Sequence, residues 1–79
     1  MEITIENIKK VLKKEVDARV DIENMDPDKS ITDQGIDSLD QSSAFLALED
    51  EFNISIPGRE IEKLDTLNKI VAYIKQAKD

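Results

Sequence analysis

The sequence has 79 residues, the scale of one domain close to the lower limit at which a single hydrophobic core supports itself. Apolar residues make up 39% and charged residues 37%, with two Gly and two Pro, which is enough for a core and disfavours a fold built on many tight β-turns. With no Cys, no His and a net charge of −7, the chain has no disulfide framework, thiolate zinc site or histidine base, and it repels nucleic acid and anionic membranes.

The charge is concentrated in the middle. Residues 1–20 carry +1, residues 21–65 carry −10 and residues 66–79 carry +2. Such a field attracts basic protein patches. No apolar run is long enough to span a bilayer and the first ten residues contain no signal-peptide core, so a cytoplasmic protein without membrane insertion is expected.

The first predicted element is an amphipathic helix over residues 4–18. Ile5, Ile8, Leu12 and Val16, flanked by Val11, follow the spacing of one buried stripe, with Thr4 as N-cap. Lys9, Lys10, Lys13 and Lys14 fall on its outer face. Residues 20–36 read as a long connection: Pro27 opposes a helix, and Val20, Ile22, Met25, Ile31 and Ile36 lack a helical period and serve as apolar anchors. A second helix is predicted over 38–52, ended by Asn53 and the Ile54 to Gly58 segment. A short third turn is expected over 59–64, with Ile61 and Leu64 facing inward. The last helix covers 66–77, with Leu67, Ile70, Val71 and Ile74 as its stripe and Asp65 or Thr66 as its cap. The expected fold is therefore all-α: a single domain over 1–79, a small irregular antiparallel bundle of three main helices plus one short helix, with a long loop between helices 1 and 2.

The second helix has two apolar faces. At 100° per residue Ala44, Phe45, Leu48 and Phe52 cluster on one side. Leu39 and Leu46 lie nearly opposite, with Ser42 and Ser43 between them and Glu49 and Asp50 at the border. A bundle helix needs only one buried face, so the second strip is either a docking surface or a pair of ordinary exposed leucines.

The segment Asp33-Gln34-Gly35-Ile36-Asp37-Ser38-Leu39-Asp40 delivers a primary hydroxyl to the start of this helix. A helix N-terminus carries roughly half a positive charge and several unpaired N–H groups, which favours a phosphodiester made there. Two local arrangements are open. Ser38 can be the N-cap, with Gln41 returning the bond in a capping box, or Asp37 can cap and leave Ser38 free.

Gly35-Ile36-Asp37-Ser38-Leu39-Asp40 resembles the attachment motif of the acyl carrier proteins. The resemblance runs along nearly the whole chain, through Asp33-x-Gly35, Leu48-Glu49-Asp50-Glu51-Phe52, Ile54-x-Ile56-Pro57 and Thr66-Leu67-x-x-Ile70-x-x-Tyr73-Ile74. It implies that Ser38 is esterified by 4′-phosphopantetheine, transferred from coenzyme A by a phosphopantetheinyl transferase that Asp37 helps to engage together with its magnesium. The terminal thiol of the arm then holds acyl groups as thioesters, and the chain itself catalyses nothing. Leu39, Asp40, Ser42, Ser43, Leu46, Glu49 and Asp50 would form the face read by basic patches on acyl transferases, ketosynthases or acyl-carrier ligases. Ala44, Phe45, Leu48, Ile56 and Ile61 would shelter the cargo, and a monomer is implied.

The sequence departs from that pattern at several places. Carriers of ordinary fatty-acid synthesis usually have an aliphatic residue and then Glu where this chain has Ser42 and Ser43, a smaller aliphatic where it has Phe45, and an acid where it has Arg59. These departures lead to the expectation of a specialised carrier in fatty-acid, lipid or secondary-metabolite synthesis. A peptidyl or D-alanyl carrier is the nearest alternative; peptidyl carriers usually show a Gly-Gly pair before the serine motif and are less acidic. A serine hydrolase lacks the base that would activate Ser38. A calcium loop on Asp26, Asp28, Ser30 and Asp37 fails at its sixth position, Ile31, and its twelfth, Asp37, so no resident metal is expected. A purely structural bundle would use Ser38 only as a cap.

Overall fold

A computed structural model describes residues 2–78. The elements in order are α1 (Ile5–Glu15), α2 (Ser38–Phe52), α3 (Gly58–Ile61) and α4 (Leu67–Lys78), with no strand among the described residues. The all-α class and the pattern of three longer helices plus one short one are as expected.

α1 is capped as its sequence predicts: the Thr4 hydroxyl accepts the Asn7 N–H at 3.1 Å. Ile8, Val11 and Leu12 are buried, while Ile5 and Val16 at the ends of the stripe are half-buried. The helix ends at Glu15 rather than at residue 18. The Val16 N–H still donates to the Leu12 carbonyl at 3.0 Å, but the Asp17 N–H turns to Asp40 Oδ2 at 3.0 Å. The Asp17 carboxylate in turn accepts the backbone N–H of Arg19 at 2.9 Å and its guanidinium at 2.8 Å. Side chains that capture backbone donors compete with helix propagation, and these bonds lie where α1 stops.

The connection from α1 to α2 is irregular but fastened. Ile22, Met25, Ile31 and Ile36 are buried in the same cluster as the helices, with Val20 half-buried beside them. Gln34 organises the turn above: its carbonyl accepts the Asp26 N–H at 2.7 Å, and its amide donates to the carbonyls of Asp26 and Lys29 at 2.9 and 3.1 Å. The far side is tied to the start of α4 by Ile31 N–H to Asp65 O at 2.8 Å and Asn68 N–H to Pro27 O at 3.1 Å. Gly35 has φ +115°, where an L side chain is strained, and the Val20 methyls lie 3.7 and 3.8 Å from where a Cβ would stand.

α2 has the predicted bounds. Asn53 ends it in the left-handed region, φ 54° and ψ 51°, the usual role of Asn or Gly after a helix. α3 begins at Gly58 and ends at Ile61, shorter than the expected 59–64 turn. Leu64 is buried as expected but follows the helix, and Ile61 is half-buried. α4 runs one residue later than expected at each end. Thr66 is its cap, accepting the Lys69 N–H at 3.1 Å, while Asp65 instead pairs with Lys69 Nζ at 2.9 Å. α1 packs chiefly on α2 and then on α4. The buried side chains form one cluster in a body of 33 × 24 × 21 Å.

Candidate functional site

The turn into α2 resolves which residue caps it. Asp37 has extended backbone geometry, its carboxylate accepts the Asp40 N–H at 2.8 Å, and its carbonyl accepts the Gln41 N–H at 2.9 Å. Asp37 is therefore the N-cap and Ser38 the first helical residue. The capping box of Ser38 with Gln41 is not formed. The Ser38 side chain is exposed, and no protein hydrogen bond to its hydroxyl is found among the described residues. A carboxylate that satisfies the helix end thus stands next to a hydroxyl with no intramolecular partner.

The neighbouring residues fall into three groups. Leu39 and Leu46 are the large exposed apolar residues, at 81% and 65% exposure, and Ser42, Ser43 and Asp50 are exposed along the same helix. Asp40 and Glu49 are only half-exposed because each is bonded to backbone outside α2. Asp40 Oδ2 accepts the Asp17 N–H, and Glu49 Oε2 accepts the Ile56 N–H at 3.0 Å. Ala44, Phe45, Leu48 and Ile56 lie in the core at no more than 4% exposure, with Ile61 packed at its margin.

A feature the sequence reading missed lies between the end of α1 and the start of α2: an open cleft of about 610 Å³ lined by Asp17, Arg19, Val20, Asp21, Gln34, Gly35, Asp37 and Asp40. Its outer wall is the stretch that the sequence assigned to helix and loop. The only sequence signal for it was the Asp17-x-Arg19 spacing, which suits an Asp side chain bonding two residues ahead. Side-chain hydrogen bonds from Arg19, then the Arg19 N–H, hold the Asp17 carboxyl at about 2, below its ordinary 3.8. Among the described residues no group of three or more His, Cys, Asp or Glu side chains is arranged to hold a metal ion, and no helix is long and apolar enough to cross a membrane. Asp26 and Asp28, the first two residues of the calcium spacing, instead bond within the loop and to Asn68.

Residues 6–74 of the chain match the family model described as the phosphopantetheine attachment site. Along its length the chain is 38% identical over 76 residues to an acyl carrier protein of Helicobacter hepaticus, covering 95% of this chain and 97% of that protein. It is 46% identical over 50 residues to an acyl carrier protein of Wolinella succinogenes, covering 63% of this chain and 66% of that one. The chain belongs to the acyl carrier proteins. Its function is that of an acyl carrier, and its covalently attached group is 4′-phosphopantetheine. The geometry around Ser38 fits a group of that kind: an exposed alcohol at the positive end of a fifteen-residue helix meets a phosphodiester in a favourable field.

Proposed function

We propose that Ser38 is the attachment point of the arm, and that this carrier serves a dedicated lipid or secondary-metabolite pathway. The observation that carries the first half is the division of roles at the α2 start. Asp37 satisfies the Asp40 N–H, so the hydroxyl of Ser38 stays exposed and free to become an ester oxygen. The arm, when bound, supplies a terminal thiol on which acyl groups ride as thioesters, consistent with a chain that has no Cys of its own. The unpaired N–H groups of the first turn of α2 favour the phosphate charge. Asp37 stands beside the hydroxyl for a phosphopantetheinyl transferase and its magnesium to engage.

Leu39, Leu46, Ser42, Ser43 and Asp50, with Asp40 and Glu49 at the edges, form the face for acyl transferases, ketosynthases or ligases with basic docking patches. The cargo shelters among Ala44, Phe45, Leu48, Ile56 and Ile61. The chain acts as a substrate of these enzymes and is not itself a catalyst. The dedicated pathway is supported by Ser42 and Ser43, both exposed between the two leucines, and by Arg59, exposed on α3, where carriers of general fatty-acid synthesis usually present an aliphatic residue and acids.

The test of attachment is incubation with a phosphopantetheinyl transferase and coenzyme A, followed by intact-mass measurement. The wild type gains one phosphopantetheinyl group and Ser38→Ala gains none; a modified Ser38→Ala protein would refute the assignment. For the pathway, the loaded protein is offered to housekeeping elongation enzymes. Poor turnover is expected, and full activity removes the case for specialisation.

A further inference from the structure

We infer that Asp40 is a positioning residue for the loading of Ser38: its carboxylate ends α1 and fastens the α1–α2 connection, which lines a cleft together with Asp37 and Asp40, to the first turn of α2. This rests on the reading of Ser38 given above and assigns to Asp40 a task distinct from display of charge to partners.

The periodicity of α1 continues through Val16, and nothing in Asp17-Ala18 breaks a helix as Pro or Gly does. The last helical bond made is Val16 N–H to Leu12 O, and the next donor, Asp17 N–H, leaves the helix for Asp40 Oδ2 at 3.0 Å. A backbone N–H released from the helical ladder takes an acceptor from water or from the chain, and an ionised carboxylate is the strongest the chain offers. Once diverted, Asp17 wraps its own carboxylate around Arg19, and Val20 N–H closes on Asp17 O at 2.9 Å. Asp17, Arg19, Val20 and Asp21 then line the cleft together with Gln34, Gly35, Asp37 and Asp40.

Asp40 also serves the serine side. Its N–H donates to Asp37 Oδ1 at 2.8 Å, the bond that makes Asp37 the cap. One residue therefore holds the cap on one flank of Ser38 through its backbone, and the α1–α2 connection through its side chain. Glu49 repeats the device at the other end of α2, accepting the Ile56 N–H at 3.0 Å.

The experiment separates an acceptor from a charge. Asp40→Asn keeps an oxygen that can take the Asp17 N–H and loses the charge; Asp40→Ala loses both. On the unloaded protein, amide exchange at Asp17 is expected to be roughly three- to tenfold faster in Asp40→Ala and near wild type in Asp40→Asn. Backbone chemical shifts of residues 16–18 are expected to move toward helical values in Asp40→Ala alone. In transferase assays both variants are expected to raise KM, since both lose a charge of the docking face, and Asp40→Ala alone is expected to lose about tenfold in kcat as well. Equal kcat in the two variants leaves Asp40 as a docking charge only and overturns the inference, as does unchanged Asp17 exchange in Asp40→Ala. Should Asp40→Ala not fold, scalar coupling across the Asp17 N–H to Asp40 carboxylate bond in the wild type decides the contact, and its absence sinks the proposal. A wild type that is never loaded removes the assignment of Ser38, while the exchange and shift measurements still judge the clamp.

Discussion

Asp37 and Ser38 are neighbours with opposite dependence on the fold. The carboxylate of Asp37 is spent on the Asp40 N–H, so Asp37→Ala is expected to lower stability by about 1 kcal/mol, the usual cost of an N-cap. Ser38→Ala removes an exposed hydroxyl with no protein partner and should stay within about 0.5 kcal/mol of wild type. Urea denaturation of the two variants checks this, and equal losses would mean that both residues share the cap. The motif alone left that choice open, because Asp and Ser are nearly equal as caps and the capping-box spacing of Ser38 with Gln41 speaks for the arrangement that does not form. Only the tertiary path of the loop decides which residue takes the extended conformation.

A second expectation at this scale concerns Asp17. Its carboxyl sits at about 2 in the fold against an ordinary 3.8, through side-chain and then backbone hydrogen bonds from Arg19. A group whose folded value is depressed stabilises the fold above its unfolded value, and that contribution is lost as pH falls from about 3.8 toward 2. Carboxyl titration by NMR should find the depressed midpoint in the wild type and a midpoint near the ordinary value in Arg19→Ala. An unmoved midpoint in that variant would exclude Arg19 as the cause.

Among the elements, α2 was the most legible and α1 the least. The bounds of α2 follow from local signals at both ends, an Asx–Ser start and an Asn stop, and local signals survive folding intact. The core stripes of α1 and α4 and four of the five loop anchors were likewise readable, because burial follows apolar spacing. The end of α1 was not, since the acceptor that diverts the Asp17 N–H is Asp40, distant in the chain. The cleft escaped for the same reason: its walls come from two stretches that only the fold brings together. Within the core, Leu48 is fully buried, so Leu48→Ala should cost 2–5 kcal/mol, on the order of the whole stability of so small a domain, and thermal unfolding should find it largely unfolded at 37 °C. Gly35→Ala places a side chain at φ +115° next to the Val20 methyls and should cost about 1–3 kcal/mol by the same measurement.

At the level of the whole molecule, charge and packing pull against each other. The segment 21–65 carries thirteen acidic and three basic groups, and the four ion pairs found among the described residues are solvent-exposed at one or both partners. Exposed pairs contribute little, so the repulsion is relieved mainly by mobile ions. Added sodium chloride or magnesium should raise the melting temperature by about 5 °C, the shift expected for roughly 1 kcal/mol in a chain of this size. A melting temperature indifferent to both would mean that the acidic surface costs the fold nothing.

Ala44, Phe45, Leu48 and Ile56, among which we propose that the cargo shelters, belong to one buried cluster and are at most 4% exposed. A hydrocarbon tail placed there would have to displace side chains of that cluster, and a longer tail more of them. On that proposal the length of the tail would be felt outside the bundle, as the degree to which this cluster is parted.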